Sequence, residues 1–151
     1  MKIPNLLFYV GKSSNKNTVI YEFKLHEDGS LNVLNPIEAY WIMRENNGER
    51  EELTFLEAKM AYGFNVESIE ENEVIFSITP LKDQLLTIKK NSEGKYRAFI
   101  RLEENSIEYI LKKVFVNLDE GTFSSEVESL TLYLENPDTG DIKKADLKND
   151  E

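Results

Sequence analysis

The chain has no cysteine, one histidine and one tryptophan among 151 residues, and the first two scarcities close off chemistry. Without a thiol there is no disulfide, thiolate zinc site, iron–sulfur cluster or cysteine nucleophile. A serine triad would have to be built on His26, which stands at a strand end beside Glu27-Asp28-Gly29 and reads as a solvated turn residue. Basic residues are also in deficit: 18 lysines and arginines against 28 acids leave a formal charge of -10. Such a chain repels phosphate backbones. Its densest basic stretch, Lys89, Lys90, Lys95, Arg97 and Arg101, offers only Tyr96 and Phe99 as an aromatic platform, so no nucleic-acid partner is expected. No run approaches the roughly 18 apolar residues of a membrane-spanning helix, so no membrane insertion is expected. Pro4 interrupts the short apolar opening and no small-residue cleavage site follows, so that segment reads as a first strand. The expected location is soluble and cytoplasmic as written, or periplasmic or secreted where a signal peptide has been removed.

What is present is β pattern. In residues 18 to 26, Val19, Tyr21, Phe23 and Leu25 share one face and Thr18, Glu22, Lys24 and His26 the other, the signature of a half-buried strand. Residues 5 to 12 are apolar on both parities and predict a strand covered on both faces. Leu31 and Val33 begin a return, Asn35-Pro36 interrupts it, and Ile37, Ala39, Trp41 and Met43 resume it until Asn46-Asn47-Gly48. Trp41 is expected to be buried, with Glu38, Tyr40 and Arg44 on the opposite face. One helix follows: Thr54 and Glu57 form a capping box and Gly63 stops it, with Leu56 and Met60 expected to lie against the sheet. From Phe64 on, strands succeed each other across polar turns at 70 to 73, 91 to 94, 104 to 105, 119 to 125 and 136 to 140. The last strand is a weak, lysine-bearing edge at 142 to 147, with a frayed tail from about 148. The pattern predicts an all-β fold, an antiparallel barrel or barrel-like sandwich of roughly nine to eleven strands with one short helix near residues 54 to 62. No linker divides it, so residues 1 to 151 are expected to form one domain.

Phe8-Tyr9, the polar run Ser13 to Asn17, Val19 to Tyr21, Tyr40-Trp41 and Ala61-Tyr62-Gly63 together resemble a bacterial single-domain family of unknown function over the first 65 or so residues. The resemblance implies a complete domain and attaches no activity, ligand or catalytic residue to it.

Candidate chemistry is sparse. The acidic pairs Glu51-Glu52, Glu70-Glu71 and Glu103-Glu104 sit at element ends, where charges stay hydrated, and Asp138-Thr139-Gly140-Asp141 lacks the ligand alternation of a calcium loop. Gly11-Lys12-Ser13 lacks the earlier glycine and the following helix of a phosphate-binding loop. No catalytic residue, metal ligand or cofactor is therefore assigned, and a non-catalytic binding or interaction module is preferred to an enzyme. The ligand would be small and apolar or amphipathic, held by Ser13, Asn15, Asn17, Tyr21, Tyr40 and Trp41, with the polar loop at a cavity mouth and the aromatics as its walls. The alternatives are a carboxylate-based hydrolase and an assembly protein using exposed strand edges.

Overall fold

A computed structural model describes residues 3–81, 83–102, 107–119 and 126–148. The polar loop around 120 to 125, the turn at 103 to 106 and the tail beyond 148 lie outside the described residues. The fold is all-β: among the described residues there is one short helix, and eleven strands form one curled half-barrel sheet.

Three runs of consecutive strands build it. The first arm is β1 (Leu6–Lys12), β2 (Asn15–Phe23), β3 (Ile37–Met43) and β4 (Glu49–Glu52), paired antiparallel in chain order. After α1 (Phe55–Met60), the second arm is β5 (Phe64–Glu70), β6 (Glu73–Ile78), β7 (Leu86–Lys90) and β8 (Tyr96–Ile100), again in order. A spine of β9 (Tyr109–Asp119), β10 (Glu126–Glu135) and β11 (Ile142–Lys148) completes the fold.

Both arms attach to the same edge of β9. β10 pairs along one edge from Ile110 to Asp119, so β8, at Tyr109 and Ile110, and β1, at Lys113 to Val116, must share the other. The β1–β9 pairing is parallel, which corrects the expectation of a purely antiparallel sheet; it joins segments about a hundred residues apart, a crossover no hairpin can make. The changeover falls at a bulge. Leu134 faces Leu111 and Tyr133 faces Lys113, leaving Lys112 as the extra residue. The bulge shifts side-chain parity, so Leu111 and then Val114 and Val116 point to one core.

That core lies between the arms and is filled. Phe8 of β1 stacks on Tyr21 of β2 at 4.7 Å and on Phe76 of β6 at 6.5 Å, and Phe23 meets Tyr96 of β8 at 5.6 Å. Leu86, Ile88, Ala98, Leu132 and Leu134 complete a packed interior. A second buried group, Ile20, Tyr40 and Ile42, covers the outer face of the first arm with Ile3, Leu6 and Tyr9 against it. Tyr40 is thus buried, although it lies on the face opposite Trp41 as its parity requires.

Three local expectations change. Leu31 makes only an isolated bridge to Leu25, and the continuous strand begins at Ile37. Asn47 and Gly48, both at positive φ, make a tight turn after a 3₁₀ segment at Arg44–Asn46 and return the chain as β4, a strand not expected from its Glu-Arg-Glu-Glu sequence. Leu56 and Met60 do not lie against the sheet: they are 66% exposed, as is Phe55 at 81%, and no residue of α1 is buried. With no apolar side chain buried, α1 is held by its cap and by Gly63, where a Cβ would fall 1.7 Å from the Ala58 carbonyl oxygen.

Core and helix therefore respond differently to truncation. Phe8→Ala should cost about 3–5 kcal/mol of stability in urea denaturation, whereas Leu56→Ser should stay within about 0.5 kcal/mol. A large loss from Leu56→Ser would return the helix to the core.

Candidate functional site

The two ends of the strand path, β4 and β5, are joined by α1, and a groove opens there. Trp41 projects from β3 on the core face, 8% exposed, opposite Glu51 of β4. Its indole Nε1 donates to Glu57 Oε1 at 3.2 Å, and its ring meets Tyr62 edge-on at 5.0 Å. Tyr62 is fixed in turn, since its carbonyl accepts the Tyr21 hydroxyl at 2.6 Å.

Glu57 does two jobs. Its Oε1 accepts the Thr54 backbone N–H at 2.9 Å while Thr54 Oγ1 accepts the Glu57 N–H at 3.1 Å, so the capping box that starts the helix also fixes the carboxylate beneath the indole. The Thr54 backbone bond, the Trp41 bond and the nearby Lys12 ammonium hold the Glu57 carboxyl below its ordinary value of 4.5, against a smaller opposing effect of burial. Lys12, the last residue of β1, places its Nζ 4.9 Å from the centre of the Trp41 ring. The groove holds about 550 Å³ and is lined by Lys12, Asn17, Trp41, Met43, Glu51 and Glu57, together with Glu52 and Thr54. A shallower one of about 420 Å³ lies along the seam between Ala39 of β3 and Phe64 of β5.

Of the six residues expected to hold a ligand, only Asn17 and Trp41 meet in this groove. Ser13 ties the β1–β2 turn to β9: its N–H donates to the Val116 carbonyl at 3.0 Å and its Oγ accepts the Leu118 N–H at 2.9 Å. Asn15 Oδ1 accepts the Asn17 N–H at 3.0 Å, a local turn bond. Asn17 lines the groove, but its Oδ1 is engaged by the Glu45 N–H at 3.1 Å. Tyr21 is in the packed core, and burial, with a lesser effect of Tyr62, pushes its hydroxyl far above the ordinary tyrosine value. Tyr40 lies on the other face, its hydroxyl donating to Glu22 and its ring 3.8 Å beneath the Arg50 guanidinium. The interior expected as a possible cavity is occupied by side chains. Lys12, Met43, Glu51 and Glu57 were not read as site residues. Only Glu57 left a local signal, its place in the capping box.

His26 is exposed in its turn, where its N–H donates to the Ser30 carbonyl, and Asp138 to Gly140 lie in the β10–β11 hairpin turn. Among the described residues no group of three histidines or acids is placed to hold a metal, and no helix is long and apolar enough to cross a membrane.

A family model for a domain of unknown function, DUF4833, matches residues 8–144. The chain belongs to the DUF4833 family. The match takes in every strand from β2 to β10, most of β1 and the start of β11, well beyond the 65 residues that carry the resemblance. No curated protein and no solved structure gives a significant match to this DUF4833 chain.

The groove presents an indole face, a thioether and carboxylates around one internal ammonium. Because Glu57 titrates from a depressed value, its contribution to the cap is complete above pH 4.5 and is lost as pH falls through that lower value. Trp41 emission should therefore show an acid transition centred below pH 4.5 that Glu57→Gln removes. A transition unchanged in Glu57→Gln would assign it to another group.

Proposed function

We propose that the chain is a non-catalytic binding module whose groove beneath α1 takes a small amphipathic cation, an ammonium or guanidinium carried on an apolar body. The observation that carries this reading is the Lys12 ammonium 4.9 Å from the Trp41 ring beside the Glu57 carboxylate: the protein places one of its own cations where a ligand's would sit. Glu51 and Glu52 add negative charge to the lining, and Met43 with the indole supplies apolar contact. The formal charge of -10 supports a cationic partner and weighs against nucleic acid. The continuous core shared by both arms and the spine supports treating the chain as one domain.

Trp41 is the only tryptophan, so its emission reports the groove alone. Titration with phenylalkyl ammonium ions should perturb that emission saturably, and the uncharged alcohols of the same shape should not. Measured by calorimetry, Trp41→Leu and Glu57→Gln should each weaken binding roughly 2- to 30-fold, the range of a cation–π contact of about 0.5–2 kcal/mol. Lys12→Met should tighten it, because the resident cation no longer competes. Equal binding of ammonium and alcohol, or no effect of Lys12→Met, would overturn the reading.

A further inference from the structure

On the face of the spine turned away from the core, the register sets out a row across four neighbouring strands: Tyr9 of β1 opposite Lys113 of β9, Lys113 opposite Tyr133 of β10, and Tyr133 opposite Lys144 of β11. Ring and cation alternate at every strand. Lys113 Nζ lies 5.5 Å from the centre of the Tyr9 ring, 5.1 Å from Tyr133 and 5.2 Å from Phe115, and Lys144 Nζ lies 5.2 Å from Tyr133. Among the described residues neither lysine makes an ion pair, although the chain carries a surplus of acids.

Beside this row runs a polar one. Asn117 Nδ2 donates to Ser129 Oγ at 3.0 Å and to Thr131 Oγ1 at 3.1 Å, and Thr131 Oγ1 donates to Asp146 Oδ1 at 2.8 Å. Between the rows Phe115 lies opposite Gly11, where a Cβ would meet its ring at 3.5 Å, an ordinary contact.

We propose that this face binds an extended acidic polysaccharide, whose uronate carboxylates draw the Lys113 and Lys144 ammoniums off the Tyr9 and Tyr133 rings into ion pairs and so free those rings to stack on pyranoses. Neighbouring strands lie about 4.8 Å apart, close to the advance of an extended glycan per sugar unit. The alternation of ring and cation therefore matches a chain that alternates neutral and acidic sugars. The aromatic faces accept the C–H side of a pyranose, as their negative quadrupole favours. Lys113 and Lys144, in no ion pair among the described residues, give this face a local complementarity to carboxylates that runs against the formal charge of the whole chain. The amide, hydroxyl and carboxylate row supplies hydrogen bonds to ring hydroxyls, and strands hold all of these groups more rigidly than a loop would. Single-stranded nucleic acid would also stack on the rings. It carries a charge at every unit, however, and would meet the field of the whole acidic chain, so the alternating glycan is favoured.

The test is calorimetric titration of the full chain with oligomers of an alternating uronate-containing glycan, a neutral β-linked glucan and a single-stranded oligonucleotide. The acidic glycan should bind, and Tyr133→Ala and Lys144→Gln should each weaken it by about tenfold, while Lys95→Gln, in the exposed turn between β7 and β8, leaves it unchanged. Lys144 is exposed, so that variant keeps the test decisive should Tyr133→Ala fail to fold. No binding of the acidic glycan, equal binding of the neutral glucan, preference for the oligonucleotide, or indifference to Lys144→Gln would each overturn the proposal.

Discussion

One strand edge governs this fold. β9 holds both four-stranded arms on the edge that β10 does not use, and the bulge at Lys112 lets that edge change from an antiparallel neighbour to a parallel one without turning the core face outward. Without the extra residue, Val114 and Val116 would point away from the side that Leu111 occupies. With it, both arms leave β9 on the same side and close on each other, bringing Phe8 against Phe76 and Phe23 against Tyr96.

Closure of the arms decides what the helix can be. Because β4 and β5 end the strand path, the eleven residues between them must span the opening of the half-barrel. Trp41, Tyr62 and Tyr21 pack on one another at this opening, and α1 leaves Phe55, Leu56 and Met60 exposed above them. A helix of six residues has little stability of its own, and here the capping box replaces an apolar contact. The same carboxylate that caps it binds the indole, so the local device that starts the helix also shapes the groove.

Features with a local cause were legible in the sequence. The alternation from Val19 to Phe23 announced β2, Thr54 with Glu57 announced the helix, and Asn47-Gly48 announced a turn. β4 was not legible, because Glu-Arg-Glu-Glu carries no strand signal and is extended only because the edge of β3 offers it partners. The parallel contact of β1 with β9 leaves no trace at the scale of a window, and apolar spacing in α1 says which residues share a face but not whether the core has room for them. The same division holds at the site: Asn17 and Trp41 were singled out as polar-loop and aromatic residues, whereas Lys12, Glu51 and Glu57 join them only through tertiary structure. Ser13, Asn15 and Tyr21 were noticed for good physical reasons, since each makes a specific hydrogen bond that orders the fold.

The central claim is that an internal cation occupies the Trp41 groove and yields to an external one. The most direct measurement is the nuclear magnetic resonance position of the Lys12 side-chain methylene next to Nζ. In the free protein the indole ring current should shift it upfield, and a phenylalkyl ammonium ion should return it saturably to the position of a free lysine. A Lys12 resonance already at the free-lysine position, or one unmoved by the ligand, would contradict the account.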